Sequence, residues 1–195
     1  TWLHIAAFDL ARGPDGNWWV MSQRTQAPSG LGYLLENRLA IARQFPQAFA
    51  HLQVQRLAAT YSAMMEGLQR MGPAGQPPHI ALLTPGPYNE TYVEHAYLAR
   101  YLGITLVEGN DLTVRDGRVW MRSVDRYEQV DVILRRVDAG WSDPLELRAG
   151  SRLGVAGLTE AVRRQGVAVG NGLGSEVGRA HVGTQATWPD RVWRV

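Results

Sequence analysis

Four short segments carry more polar chemistry than packing alone requires. Arg135-Arg136-Val137-Asp138 ends an apolar, β-branched stretch. Paired guanidinium groups at a strand's C-terminal edge can grip an anion bidentately, with Asp138 orienting one of them, although an internal ion pair accounts for the same residues equally well. Thr84-Pro85-Gly86-Pro87-Tyr88-Asn89-Glu90-Thr91 lies between a strand and a helix, and its two prolines fix its shape. In open α/β sheets ligands sit in that crevice, so Tyr88, Asn89 and Glu90 are candidate substrate contacts. Pro28-Ser29-Gly30 precedes a helix, where a hydroxyl and free backbone N–H groups suit a carboxylate or phosphate; on its own, Ser29 reads first as an N-cap. Asp9 is the place to look for a magnesium site, because a hairpin would set it opposite Ser22 to Arg24. An arginine there neutralises the carboxylate by pairing with it, so spacing favours an Asp9–Arg24 pair over a metal.

Composition removes other chemistries. The chain has 195 residues and 20 basic side chains, every one an arginine, and it has no cysteine. Schiff bases, a Walker-type lysine, thiolate nucleophiles and sulfur-ligated zinc cannot be built from these residues. The net charge is only +2, and no arginine run exceeds the pairs Arg135-Arg136 and Arg163-Arg164, so nucleic acid is not an expected partner. No apolar run reaches membrane-span length and no signal-peptide layout opens the chain. We therefore expect no membrane association and a cytoplasmic location. The start on Thr1 rather than methionine leads us to expect a fragment. His95, one turn into its helix, reads as a core or surface histidine, and Glu108 and Asp111 as weaker edge candidates.

The elements that must position these groups follow from periodicity. Residues 2–24 read as a β-hairpin around Gly13-Pro14-Asp15-Gly16-Asn17. Leu31, Leu34, Leu35, Leu39, Ala42 and Phe45 follow helical spacing up to Pro46, and a second stripe runs from Val54 to Leu68. Residues 73–78 form a linker between an N-terminal part, 1–72, and an α/β part, 79–175. In the latter, strands are expected at 80–84, 104–107, 130–134 and 167–169, helices at 91–102 and 155–165, and a hairpin about Asp116-Gly117. That alternation implies a parallel sheet covered by helices, a Rossmann-like half domain without a dinucleotide fingerprint.

Taken in order, Phe8-Asp9-Leu10, Pro14-Asp15-Gly16, Ala27-Pro28-Ser29-Gly30 through Leu35-Glu36-Asn37-Arg38, Leu83-Thr84-Pro85-Gly86-Pro87-Tyr88-Asn89, Leu106-Val107-Glu108-Gly109 with Asp111-Leu112, Asp131 to Asp138, Asp143-Pro144-Leu145, Leu153-Gly154-Val155 and Asn171 form a series. In that series the chain resembles the circularly permuted ATP-grasp family, relatives of glutathionylspermidine synthetase, over nearly all of residues 2–175. The fold this implies is α/β: a β-hairpin plus two helices of an ATP-grasp lobe, then the Rossmann-like βαβ half domain. The activity it implies is a ligase that uses ATP and Mg2+ to activate a small-molecule or peptide carboxylate as an acyl phosphate and passes it to an amine. It also implies α-helical and transglutaminase-like proteins encoded nearby as partners.

By the same resemblance Asp9 falls on a metal-binding aspartate, and Ser29 and Gly30 fall in the loop that approaches the substrate carboxylate. Arg135 and Arg136 are carried forward as catalytic candidates. Two departures stand out. The family's Glu-x-Asn pair on the second hairpin strand is Ser22 and Arg24 here, and its nucleotide-gripping lysines are absent. Two readings therefore stand: a carboxylate–amine ligase, and a non-catalytic binding or scaffold member that has lost metal ligands. The 195 residues alone are not expected to be active. Residues 176–195 depart from the pattern, resemble a translated sequencing adapter, and are expected to pack poorly.

Overall fold

The computed structural model describes residues 3–175 and the backbone of Thr184–Gln185. The hairpin forms from β1 (Ala7–Arg12) and β2 (Trp18–Arg24), with a register shift between Asp9 and Leu10; β10 (Thr184–Gln185) pairs antiparallel with β2. The other expectations for the 176–195 tail lie outside the described residues. Helix α1 (Leu31–Gln44) gives way at Phe45, and α2 (Pro46–His51) starts on Pro46, whose missing N–H and fixed φ suit a first helical position. Helix α3 (Ala58–Gln69) carries the second apolar stripe.

Four parallel strands build the central sheet in the order β4-β3-β8-β9, from β3 (Ile80–Leu83), β4 (Thr105–Val107), β8 (Val132–Arg135) and β9 (Ala168–Gly170). Side chains alternate between its faces. Ile80, Leu82, Val132 and Leu134 pack with Leu35, Tyr61, Leu68 and Leu98 on one side, whereas Ala81, Leu83, Ile133 and Val169 pack with Val119, Leu158 and Ala161 on the other. Both faces are thus dry, which is why the strands read as continuous apolar runs. Helix α4 (Tyr92–Leu102) connects β3 to β4 and ends on Gly103 in the left-handed region.

Two sequence expectations change. The apolar run 130–134 is two strands: β7 (Tyr127–Val130) closes an antiparallel sheet with β5 (Leu112–Arg115) and β6 (Arg118–Arg122), and β8 enters the parallel sheet. Asp131 makes the switch, its carboxylate accepting the His79 N–H at 2.9 Å. The helix expected at 155–165 contracts to α5 (Leu158–Arg163), because Gly157 adopts φ 85° and cannot join it. The Asp116-Gly117 turn has φ 51° and 72°, the double positive φ of a type I′ hairpin, as the dipeptide predicts. Among the described residues no helix is long and apolar enough to cross a membrane.

Candidate functional site

At the C-terminal edge of the parallel sheet, β3 runs into Thr84, β8 into Arg136-Val137-Asp138 and β9 into Asn171. The segment leaving β2, Thr25 to Gly30, is fastened to that edge by buried side chains. Asn171 Nδ2 donates to the carbonyls of Ile5 (2.6 Å) and Thr25 (2.8 Å), and its Oδ1 accepts the N–H groups of His4 and Ile5, both at 2.9 Å. Asn171 takes φ 56°, a left-handed conformation that asparagine tolerates better than most residues. Arg135, only 1% exposed, donates to the carbonyls of Asn171 (2.9 Å), Gln26 (3.2 Å) and Val137. Arg136 Nη2 donates to the Pro28 carbonyl at 2.5 Å, and Gln26 Oε1 accepts the Ala139 N–H at 2.9 Å.

Under this segment lies a buried polar cluster from α4. Glu94 Oε1 accepts the N–H groups of Gly30 (2.7 Å) and Gly32 (3.2 Å) at the N-terminus of α1. A Cβ on Gly32 would sit 2.7 Å from Glu94 Cγ, so only glycine admits this approach. Burial pushes the Arg136 guanidinium below its usual range, and the Glu94 carboxylate opposes that shift. His95 places its two ring nitrogens 2.9 Å from Thr84 Oγ1 and 3.1 Å from Thr91 Oγ1. Burial first, and the Arg136 charge second, lower the His95 pKa to about 4.

That shift predicts a pH dependence of stability. The folded state holds His95 neutral while the unfolded chain protonates it near pH 6.5, so the contribution is complete above the unfolded value and is lost as pH falls towards 4. Urea unfolding measured across that window is expected to show stability rising with pH, and a His95→Asn variant is expected to have a flatter slope. An equal slope in both proteins contradicts the assignment.

Above the cluster opens a cleft of about 320 Å³, lined by Arg24, Gln26, Ser29, Glu90, Thr91 and Asp138. It unites three of the four sequence segments: the end of β2, the loop before α4 and the turn after β8. Ser29 and Glu90 line it. Tyr88 is fully exposed outside it, and Asn89 Oδ1 accepts from the Thr91 N–H and hydroxyl, closing a local turn. Gly30 is present at the N-terminus of α1, but its N–H is engaged by Glu94. Arg135 and Arg136 sit where the sequence places them, and the donor bonds described above end on main-chain carbonyls. A wider hollow of about 980 Å³ lies elsewhere, between Met71–Pro73, Asp116–Arg118 and Gly166–Val169, and none of the sequence-selected residues lines it.

Asp9 is the expected metal ligand, and its two oxygens are taken: Oδ2 by the Ser22 hydroxyl and Oδ1 by Arg24 Nη2 at 2.8 Å. The Ser22 hydrogen bond chiefly, and then the Arg24 charge, hold its pKa below the usual carboxylate value. A divalent cation needs several hard oxygens free to face it, and this set offers one neutralised carboxylate and a competing cation. Among the described residues no group of three His, Asp or Glu side chains could hold a metal ion. The described residues therefore do not fit Mg2+. The α1 N-terminus and the paired arginines are likewise engaged internally.

Two contributors escaped the sequence reading. Glu94 gave no signal, because a carboxylate in the first turn of an amphipathic helix looks solvated. Asn171 stood within a recognisable string but carried no assigned role, although an asparagine directly after a buried strand is a known route into the left-handed region.

The profile of the circularly permuted ATP-grasp type 2 family matches residues 1–185. The chain belongs to that family. An uncharacterized protein of Mycobacterium tuberculosis is 47% identical over 176 residues, which cover 90% of this chain and 20% of the relative. A second M. tuberculosis protein, also uncharacterized, is 42% identical over 179 residues, covering 89% of this chain and 32% of its own length. One from Synechocystis is 40% identical over 182 residues, covering 91% and 37%. This ATP-grasp chain thus spans between a fifth and two-fifths of the lengths of these bacterial relatives. The family is of the ATP-grasp type, which generally uses ATP and Mg2+.

Proposed function

We propose that this chain supplies the substrate cleft of an ATP-dependent carboxylate–amine ligase related to glutathionylspermidine synthetase, and that the amine is the partner its cleft receives. The observation that carries the reading is the charge inventory of the 320 Å³ cleft. Arg24 is paired with Asp9, whereas Glu90 and Asp138 line the same space with no ion pair among the described residues. A cleft with one compensated cation and two uncompensated carboxylates favours an ammonium group over a second anion. Glu90 and Asp138 hold and orient the amine, the Ser29 and Thr91 hydroxyls lie within the same lining, and the segment Thr25 to Ser29 arrives pre-shaped by its buried fastenings. Nucleotide and metal binding fall, on this reading, to other parts of the complete protein, in the cytoplasm.

The test is ADP release by the complete protein with Mg-ATP, a carboxylate donor and a panel of primary amines and amino-terminal peptides. Amine-dependent ADP release is expected; release indifferent to every amine contradicts the assignment. A second reading, a binding or scaffold subunit without turnover, is favoured by the Asp9–Ser22–Arg24 arrangement. Isothermal titration of the complete protein with Mg-ATP separates the two, since absence of binding removes the ligase.

A further inference from the structure

Every proton in the hydrogen-bond chain beneath the Thr91 side of the cleft has an assignable place. Asn89 Oδ1 accepts the Thr91 N–H at 2.9 Å, which fixes the orientation of that amide, because a main-chain N–H can bond only to its oxygen. The same oxygen lies 2.5 Å from Thr91 Oγ1, so the Thr91 hydroxyl donates to it. With its one proton spent there, Thr91 Oγ1 can only accept from His95 Nε2, 3.1 Å away. A neutral imidazole protonated on Nε2 leaves Nδ1 as an acceptor, and the Thr84 hydroxyl, at 2.9 Å, donates to it. Thr84 Oγ1 in turn accepts the Gly86 N–H at 3.3 Å. His95 is 1% exposed and Thr84 is fully buried, so water does not compete for these bonds. Burial that disfavours the imidazolium keeps His95 in the neutral form the chain requires.

We propose that Thr91 is a specificity-determining residue of the cleft and that His95 is the positioning residue behind it. The Thr91 hydroxyl has its proton bonded to Asn89 and one lone pair taken by His95, so what Oγ1 has left to offer the cleft is its second lone pair, an acceptor and never a donor. Main-chain donors at this end of α4 do not offset that, since the N–H groups of Thr91 and Tyr92 are both spent on Asn89. Beside the Glu90 and Asp138 carboxylates, an acceptor-only hydroxyl matches the several N–H donors of a primary ammonium. A carboxylate or phosphate oxygen would meet a lone pair there and is rejected. The substrate class rests on the amine reading above; the direction of the hydrogen-bond chain does not.

Two measurements test it. In the 195-residue chain, isotope-labelled in its histidines, long-range proton–nitrogen correlation spectra at neutral pH report which ring nitrogen of His95 carries the proton, the signals being assigned by comparison with His95→Asn. A neutral ring protonated on Nε2 is expected; the Nδ1–H tautomer, or an imidazolium, overturns the proposal. In the complete protein, Thr91→Val removes the hydroxyl at nearly constant volume. Its KM for the amine is expected to rise about tenfold, equivalent to about 1.4 kcal/mol, with the KM for Mg-ATP unmoved. Thr91→Ser restores a hydroxyl but not the methyl group, and is expected to recover most of that loss, which a packing role for Thr91 would not allow. If Thr91→Val does not fold, Thr91→Ala against Thr91→Ser makes the same comparison. An amine KM unchanged without the hydroxyl, or raised equally in Thr91→Ser, overturns the proposal. ADP release that is indifferent to amines in the wild type removes the ligase reading and this proposal with it, whereas amine dependence that survives intact in Thr91→Val removes this proposal alone.

Discussion

Replacing Asn171 by alanine is expected to lower the unfolding free energy by about 3–5 kcal/mol, the largest single-residue effect in the molecule. The side chain is 2% exposed and makes hydrogen bonds to four main-chain groups, of His4, Ile5 (twice) and Thr25, which flank the β1–β2 hairpin and precede Asn171 by 146 to 167 residues. Truncation leaves those buried N–H and carbonyl groups without partners, and each carries roughly 1 kcal/mol or more of desolvation penalty. Alanine also inherits a φ of 56°, which costs about 1 kcal/mol that glycine would not pay. Urea denaturation should therefore rank Asn171→Gly between wild type and Asn171→Ala. A loss below about 1 kcal/mol for the alanine variant, or no difference between the two, contradicts this account of the junction.

The second large effect is at Arg135. Its guanidinium serves three carbonyls, of Gln26, Val137 and Asn171, so Arg135→Met is expected to destabilise the fold by about 2–4 kcal/mol even though it removes a buried charge. Lysine does not rescue it, because a point ammonium cannot reproduce the planar fork that meets three acceptors. Arg136→Met provides the internal comparison. That side chain donates to one carbonyl, leaves Nε unsatisfied and is held below its normal pKa by burial, so its replacement should cost less than half as much. Equal losses at the two positions would show that the guanidinium hydrogen bonds are not what fastens the Thr25–Ser29 segment.

The fold was largely legible because its strongest signals are local. Period-two burial, the proline at α2, the glycine ending α4 and the Asp116-Gly117 turn each act within a few residues. What escaped was non-local. A single aspartate, Asp131, divides an apolar run between two sheets by bonding to His79, 52 residues away. Arg135-Arg136 illustrates the same limit at the site: the sequence shows paired cations at a strand end, but only the packed structure shows their donors on carbonyls of the segment crossing above. The α1 N-terminus is legible as an anion site, yet its occupant comes from α4, 64 residues from Gly30. Asp9 was the reverse case, since hairpin pairing is local and the antagonism of Arg24 could be read directly from spacing.

These internal engagements change what the family resemblance means for this chain. Asp9 is paired with Arg24, Arg135 and Arg136 donate to main-chain carbonyls, and the cleft keeps Glu90 and Asp138 without an ion pair among the described residues. The most direct test is a comparison of the complete wild-type protein with a Glu90→Gln, Asp138→Asn double variant, measuring Mg-ATP affinity by titration and amine-dependent ADP release in parallel. The account predicts unchanged nucleotide affinity with amine-dependent release reduced about 100-fold, equivalent to about 2.7 kcal/mol of lost transition-state stabilisation. Amine-dependent release that survives in the double variant would contradict it.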